Sequence, residues 1–510
     1  MQRIEIIRSS YYDSVTLMLV AKELNKLAGV TSSSLVMGTE ANYNILASGG
    51  FDVDGIDATP NDLIIAVMGQ DESVLDGALK TAKEYIASPP WKKEMSAGDY
   101  RPKSLDGALA VQKDSNIAVI SVAGRYAGDL AMDCIGKGLN VMLFSDNVPL
   151  EKEIELKRTA SEKGLLVMGP DCGTVIIRGK ALGFANACPV GPVGIVAAAG
   201  TGLQEVHVQL ARRGVGTLHG IGTGGRDVKA EVGGITTLTA VKELLSDDEI
   251  ETLVVVGKPP AKEVEDKILD LVKRSGKPSV FGFIGGQTRC DEPPVYICSE
   301  LEETACVAAA LAKGEDPAMA RSDLKAKEQG LKNRAEEIGR RKGYIRGLFS
   351  GGTLCYEAQL VLANHGIDTW SNAPFSKEKK LENSLKPVAH SIIDYGEDEF
   401  TQGRLHPMMD LTFRCERLLA EASDPEVSVV LFDVVLGYGC NPDPASLLAD
   451  AVTASRGRSG DRIVYVASIC GFDNDPQDFE KQKKILESAG VAVCESNAQA
   501  SRLAAFLLAR

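Results

Sequence analysis

Val193-Gly194-Ile195-Val196-Ala197-Ala198-Ala199-Gly200-Thr201-Gly202-Leu203-Gln204-Glu205 holds the pattern from which the architecture follows. A short apolar run gives way to a glycine-bracketed turn, and an amphipathic stretch then continues to Arg213. The spacing predicts a buried strand feeding a helix. The same unit recurs further along the chain. Residues 253–256 precede Pro259-Pro260 and a helical stretch to Arg274, and residues 429–435 precede Gly437-Tyr438-Gly439 and a helix near 445–454. Residues 463–469 and 491–493 read as further buried strands. Such alternation implies an α/β fold, with parallel sheets covered by helices.

With 510 residues the chain exceeds one ordinary core, and several domains are expected. Breaks in the pattern divide it into residues 1–188, 189–315 and 344–510, with the charged stretch 316–343 as a linker containing some helix. Residues 88–104, with Pro89-Pro90, Trp91 and Pro102, read as a loop. One internal repeat stands out. Gly200-Thr201-Gly202-Leu203-Gln204-Glu205 aligns with Gly352-Thr353-Leu354-Cys355-Tyr356-Glu357, and a glycine follows fourteen positions later in each case, at Gly214 and Gly366. The two halves reuse one strand–turn–helix unit.

The net charge is −14 and the pI about 5.1, with no basic stripe, so a nucleic-acid face is not expected. No apolar stretch approaches the ~20 residues of a membrane helix. Eleven scattered cysteines without a C-x-x-C pair, and a start without a signal-peptide core, point to reduced thiols in a cytoplasmic protein. No zinc-type histidine spacing and no P-loop occur, so no metal site is expected.

Several turns are candidates for chemistry. At Gly200-Thr201-Gly202 glycines admit a ligand to the backbone, and the helix start offers free N–H groups to an anion; a tight turn with Thr201 as N-cap is the plainer alternative. In Gly220-Ile221-Gly222-Thr223-Gly224-Gly225-Arg226-Asp227, the glycines Gly222, Gly224 and Gly225 suit close approach of a ligand, with Arg226 as a two-point clamp. The alternative is a mobile loop with Arg226 paired to Asp227 or Glu231. Gly437, Gly439, Cys440 and Asn441 sit at the carboxyl end of a buried strand, where open α/β sheets bind ligands. Capping of the next helix is the simpler task for Asp443. In Gly169-Pro170-Asp171-Cys172-Gly173-Thr174, Asp171 reads as an Asx-turn residue; with Cys172 and Asn186 it is a loop candidate. Among the five histidines, His406 in Gly403-Arg404-Leu405-His406-Pro407 is the one expected to face a site.

Residues 169–174, 194–205 and 220–227 resemble the α subunit of succinyl-CoA ligase, and residues 391–445 resemble the carboxyl-terminal domain of its β subunit. One chain carrying both parts resembles the FdrA family of acyl-CoA-synthetase-like proteins. Asp13-Ser14-Val15, Met37-Gly38-Thr39, Ser145-Asp146-Asn147-Val148, Lys258-Pro259-Pro260, Gly351-Gly352-Thr353-Leu354 and His406-Pro407-Met408 carry that match. The resemblance implies several doubly wound parallel-sheet domains: Rossmann-like and of CoA-binding type over 1–188, flavodoxin-like over 189–315, and β-subunit-tail-like over 344–510. It also implies that Gly200–Gly202 and the turn 437–441 jointly cradle a phosphate, and that Val122, Ala123, Gly124, Ser145, Asp146 and Asn147 border a CoA-like site.

The departures from the ligases are informative. The loop that carries their phosphorylated histidine reads Gly285-Gly286-Gln287-Thr288-Arg289 here, with no histidine between His219 and His365. Lys258-Pro259-Pro260 stands where their supporting glutamate falls, and the nucleotide-binding part of the β subunit is missing. Within the family, the resemblance implies phosphate-dependent acyl or carbamoyl transfer. One form is oxamate carbamoyltransferase of allantoin breakdown: oxalurate and phosphate give oxamate and carbamoyl phosphate, with Arg226 and His406 as catalytic groups, phosphate as substrate and partner subunits. An acyl-CoA synthetase using CoA and a nucleotide-binding partner is the alternative, and a regulatory protein on a ligase scaffold a third. A homo- or hetero-oligomer acting on a small acyl or ureido substrate is expected in each enzymatic case.

Overall fold

The computed structural model describes all residues except 11, 13, 89–101, 103, 287–290, 403 and 509–510. The chain forms two compact units, one of residues 1–114 with 398–405, the other of 115–397 with 406–510.

In the first unit, Leu63–Gly69 is the middle strand between Gln2–Ile7 and Val30–Met37, and both pairings are antiparallel. Its sequence is an unbroken apolar run because both faces are covered. Leu63, Ile65 and Val67 pack with Leu17, Val20 and Leu75 from helices Ser14–Leu24 and Glu72–Ala87. Ile64 and Ala66 point the other way, towards Leu46 and Phe51. This antiparallel sheet is a correction to the single Rossmann-like domain expected over 1–188. The outer strands are more polar, alternating in Arg3-Ile4-Glu5-Ile6 and mostly polar over Val30-Thr31-Ser32-Ser33-Ser34, which suits a half-covered edge rather than a buried parallel strand. The loop expected at 88–104 lies largely outside the described residues.

The second unit is α/β with several parallel sheets. Ile117–Ile120, Asn140–Leu143 and Val167–Met168 form a small parallel sheet. A larger one runs Val295–Cys298, Ser279–Phe283, Thr252–Gly257, Val193–Ala197, Thr217–Gly222, all parallel, and is extended by a hairpin of Thr174–Ile177 and Lys180–Gly183. The hairpin turns at Arg178 and Gly179, with φ 46° and 71°, as a two-residue turn between twisted strands requires. It carries the larger sheet across the boundary expected at 188–189. The third sheet is parallel throughout, in the order Ser391–Asp394, Tyr344–Phe349, Val427–Val435, Val464–Cys470, Ala492–Cys494.

One core spans the second and third sheets. Leu203 and Val206 share it with Leu354, Ala358, Leu503 and Ala504. The expected linker is a full helix, Pro317–Ile338, capped by Asp316 with Pro317 in its first turn. It buries only Leu331 and Ala335, so its apolar stripe is narrow, and its charged remainder gives a loop-like composition.

Candidate active site

Helix Gly200–Arg212 starts where strand Val193–Ala197 ends, and helix Gly352–Asn364 starts where Tyr344–Phe349 ends. The two starts meet. A Cβ added at Gly202 would stand 2.9 Å from Cγ2 of Thr353, and one at Gly351 would stand 2.7 Å from Cγ2 of Thr201. Each glycine thus makes room for the threonine of the opposite repeat. Neither helix start has a side-chain cap, so first-turn amides of both stay available to a ligand.

A buried frame holds the second start. Asp433 accepts hydrogen bonds from the amides of Ser350 (2.8 Å) and Gly351 (2.9 Å) and from the Ser350 hydroxyl. Arg414 pairs with Asp433 at 2.8 Å and also donates to the carbonyls of Leu348 and Asp433. Beside it, the position of a Cβ on Gly396 lies 2.9 Å from His406 Nε2, 2.9 Å from the Ser350 carbonyl and 3.1 Å from Asp394 Oδ1. His406, Ser350 and Asp394 therefore converge on one glycine. Nδ1 of His406 accepts the Met408 amide at 3.2 Å, which leaves the ring proton on Nε2. Burial, then Arg414, pushes its pKa down to about 4, so the ring is a neutral donor. Lys258 stands nearby with Nζ 4.8 Å from the centroid of Tyr356.

The turn expected to share a phosphate with Gly200–Gly202 lies next door and is closed by protein groups. Gly437 packs on Ala185, whose carbonyl accepts the Tyr438 amide at 2.8 Å. Gly439 packs on Phe184, whose ring lies 5.9 Å from that of His406. Asn441 donates its amide to the Met408 carbonyl and its side chain to that of Met409. In helix Pro444–Ser459 the Ala445 amide goes to Gln482 and the Ser446 amide to Asp443, the capping expected of Asp443. Asn186 links the two regions: it accepts from Gln204 and donates to the Leu436 carbonyl and to Asp475. Burial pushes the thiols of Cys440 and Cys172 up to about 12, which keeps both protonated and poor as nucleophiles.

The remaining candidates fall into two groups. A Cβ at Gly222 would stand 2.4 Å from the Thr174 carbonyl, and one at Gly224 would stand 2.4 Å from that of Pro170. What approaches these glycines is the protein's own loop around Asp171 and Cys172, and Cys172 Sγ donates to the Gly222 carbonyl. Gly225 has more room, 3.9 Å from the Ala198 carbonyl. Arg226 is held by Glu153, with Nε 2.8 Å from Oε2, and donates Nη2 to the Val148 carbonyl, so its fork is partly spent within the protein. The second group is brought together as expected. Val122 donates its amide to Ser145 Oγ, and a Cβ at Gly124 would stand 2.2 Å from the Asp146 carbonyl and 2.7 Å from that of Asn147. Helix Gly124–Gly136 starts there after Ala123, without a side-chain cap.

The sequence does not single out Ser350, Gly351, Asp394, Arg414 and Asp433 as site residues, although Gly351 and Asp394 fall within stretches that resemble the family and the ligases. The internal repeat is the available signal for the first two, since it sets Ser350 and Gly351 against Ala198 and Ala199 at the other helix start.

Comparison with known proteins matches three separate segments of the chain. Residues 191–285 match the CoA-binding domain family, residues 348–507 the CoA-ligase family, and residues 1–102 a family described as AllF, heavy metal-associated domain. Residues 1–102 contain neither cysteine nor histidine, so they lack the thiolate and imidazole ligands that suit such a metal. The protein YahF of Escherichia coli K12 is 37% identical over 512 residues, covering 98% of each chain. Subunit alpha 2 of an ADP-forming succinate–CoA ligase from Archaeoglobus fulgidus is 29% identical over 184 residues, which span 35% of this chain and 61% of that one. Among solved structures, a dinucleotide-forming acetyl-coenzyme A synthetase 1 of Ca. Korarchaeum cryptofilum, in complex with phosphate and ADP, aligns over 77% of this chain and 82% of its own at 16% identity, with a TM-score of 0.27. No helix among the described residues is long and apolar enough to cross a membrane.

Proposed function

From the FdrA family of acyl-CoA-synthetase-like proteins, to which this chain belongs, we infer a CoA-ligase-type enzyme that makes or consumes an activated acyl group at the paired helix starts. The observation that carries this reading is the meeting of Gly200–Gly202 with Gly351–Thr353: one start lies in the CoA-binding match and the other in the CoA-ligase match. Acyl transfer needs donors aimed at a developing oxyanion and a place for phosphate or carboxylate. Uncapped helix starts supply amides, and His406 supplies a neutral N–H. CoA is expected at the turns 122–124 and 145–147, with the nucleotide-binding part on a partner chain and a small acyl substrate between them.

Calorimetry of the full chain with CoA tests this. The wild type should bind, and Gly124→Val should lose binding, since its side chain would meet the Asp146 carbonyl. A wild-type chain that binds no CoA, alone or with partners, overturns the reading.

A second reading, phosphate-dependent carbamoyl transfer, is supported by the absence of histidine between His219 and His365, where the ligases place a phosphorylated one. Oriented phosphate would then attack the ureido carbonyl itself, with the amides of Gly200–Gly202 as its seat and Arg226 and His406 as assisting groups. Release of carbamoyl phosphate from oxalurate, dependent on phosphate and unaffected by CoA, would select this reading over the first.

A further inference from the structure

Asp394 ends the strand Ser391–Asp394 and is 3% exposed. Its Oδ1 accepts the Gly396 amide at 2.8 Å. Its Oδ2 takes no hydrogen bond from a described residue and lies against the uncapped helix start, 2.6 Å from where a Cβ on Gly352 would be. The charged and titratable groups around it are Glu397 on its own loop, Asp433 from strand Val427–Val435, Lys258 after strand Thr252–Gly257, Cys355 on helix Gly352–Asn364, and His406. None is an ion-pair partner: Arg414 is taken by Asp433, His406 is neutral, and Lys258 acts only through space.

A carboxylate sealed in this way, with acidic neighbours and no bonded cation, holds its proton. Burial first, then Glu397, pushes the carboxyl up to about 7, while the Gly396 amide pulls the other way. An ionised group at this point would repel the anion that the helix starts attract. A protonated one adds a donor beside their amides.

We propose that Asp394 faces the ligand as a neutral acid, its Oδ2–H donating a hydrogen bond to an oxygen of the bound acyl or oxyanion group. No bond to carbon is made or broken by it, and the proton stays on Oδ2. The assignment rests on the acyl-transfer reading and adds to it a residue on which ligand affinity depends through protonation. It distinguishes Asp394 from a merely structural carboxylate, which needs only the Oδ1 bond to Gly396.

The experiment uses the full chain with sulfate as probe, an oxyanion whose charge is constant from pH 6 to 8.5, read by calorimetry beside melting curves. Wild type should bind about tenfold more weakly at pH 8.5 than at pH 6, as Asp394 ionises. Asp394→Asn keeps a donor and cannot titrate, so its affinity should be nearly the same at both values. Asp394→Ala should bind weakly at both. An Asn variant that keeps the wild-type pH dependence overturns the proposal while leaving the acyl-transfer reading intact. A wild type that binds CoA but no sulfate also overturns this proposal alone; one that binds neither overturns both. Should Asp394→Asn fail to fold, the wild type decides: equal sulfate affinity at the two pH values, with the fold intact by circular dichroism, overturns it.

Discussion

At the scale of single residues, burial sets the chemistry. Glu357, five residues into its helix, accepts the Leu301 amide at 2.6 Å and the side chain of Asn497 at 2.8 Å. Burial, then the charge of Glu300, nevertheless pushes its carboxyl from 4.5 up to about 8. Near neutral pH Glu357 therefore carries a proton. Since the folded state holds this proton more tightly than the unfolded chain, its contribution to stability is full below pH 4.5 and is lost as pH rises to about 8. Glu357→Gln cannot titrate; between pH 5 and 8.5 it should lose less stability than wild type, by on the order of 2 kcal/mol in urea denaturation. Equal losses would show that Glu357 is already ionised at pH 5. His406 is legible from the sequence because histidines are few, whereas Asp394 is visible there only as part of a ligase-like stretch and not as a site residue. Its surroundings come from residues 258, 352–355 and 433, and no local pattern announces a carboxyl that three distant segments enclose.

At the scale of elements, the two helix starts are fitted to each other. Gly351 has φ −111°, which any residue can adopt, so the cost of Gly351→Ala is steric and falls on Thr201. We expect that variant to lose about 1–3 kcal/mol. Thr201→Ala in the same chain should restore part of it, giving a coupling above about 1 kcal/mol in a double-mutant cycle. Strictly additive losses would mean that the starts separate in solution. Strand-to-helix units were readable because buried parallel strands are continuous apolar runs. The hairpin Thr174–Ile177 and Lys180–Gly183 is hard to see in the sequence, because Arg178-Gly179 runs straight into Lys180 and the second strand is short and half polar. The helix Pro317–Ile338 was read as a linker because two buried positions leave almost no periodicity to detect.

For the whole molecule, one buried lysine ties the small parallel sheet to the large one. Lys157 on helix Leu150–Glu162 is fully enclosed and donates to Glu153, to the Thr223 carbonyl and to Asp227, at 2.8, 3.0 and 2.7 Å. Asp227 in turn accepts the amides of Thr236 and Thr237. Removing the cation leaves Asp227 charged and buried, so Lys157→Met should cost about 3–5 kcal/mol. Hydrogen exchange should then quicken in both 150–162 and 223–237; quickening in the first segment alone would show that the lysine serves only its own helix. The segment boundaries were the least legible feature, because a hairpin and a glycine loop cross them through contacts that composition does not report.

The reciprocal seating of Thr201 and Thr353 has one more consequence. Both repeats belong to a single polypeptide, so their encounter is a first-order event, with a local concentration set by the connecting chain. Dilution that dissolves a two-subunit arrangement would leave this pair of amide clusters together. Whatever other proteins join it, the chain brings one of each cluster to every copy, in a ratio that no imbalance of expression can disturb.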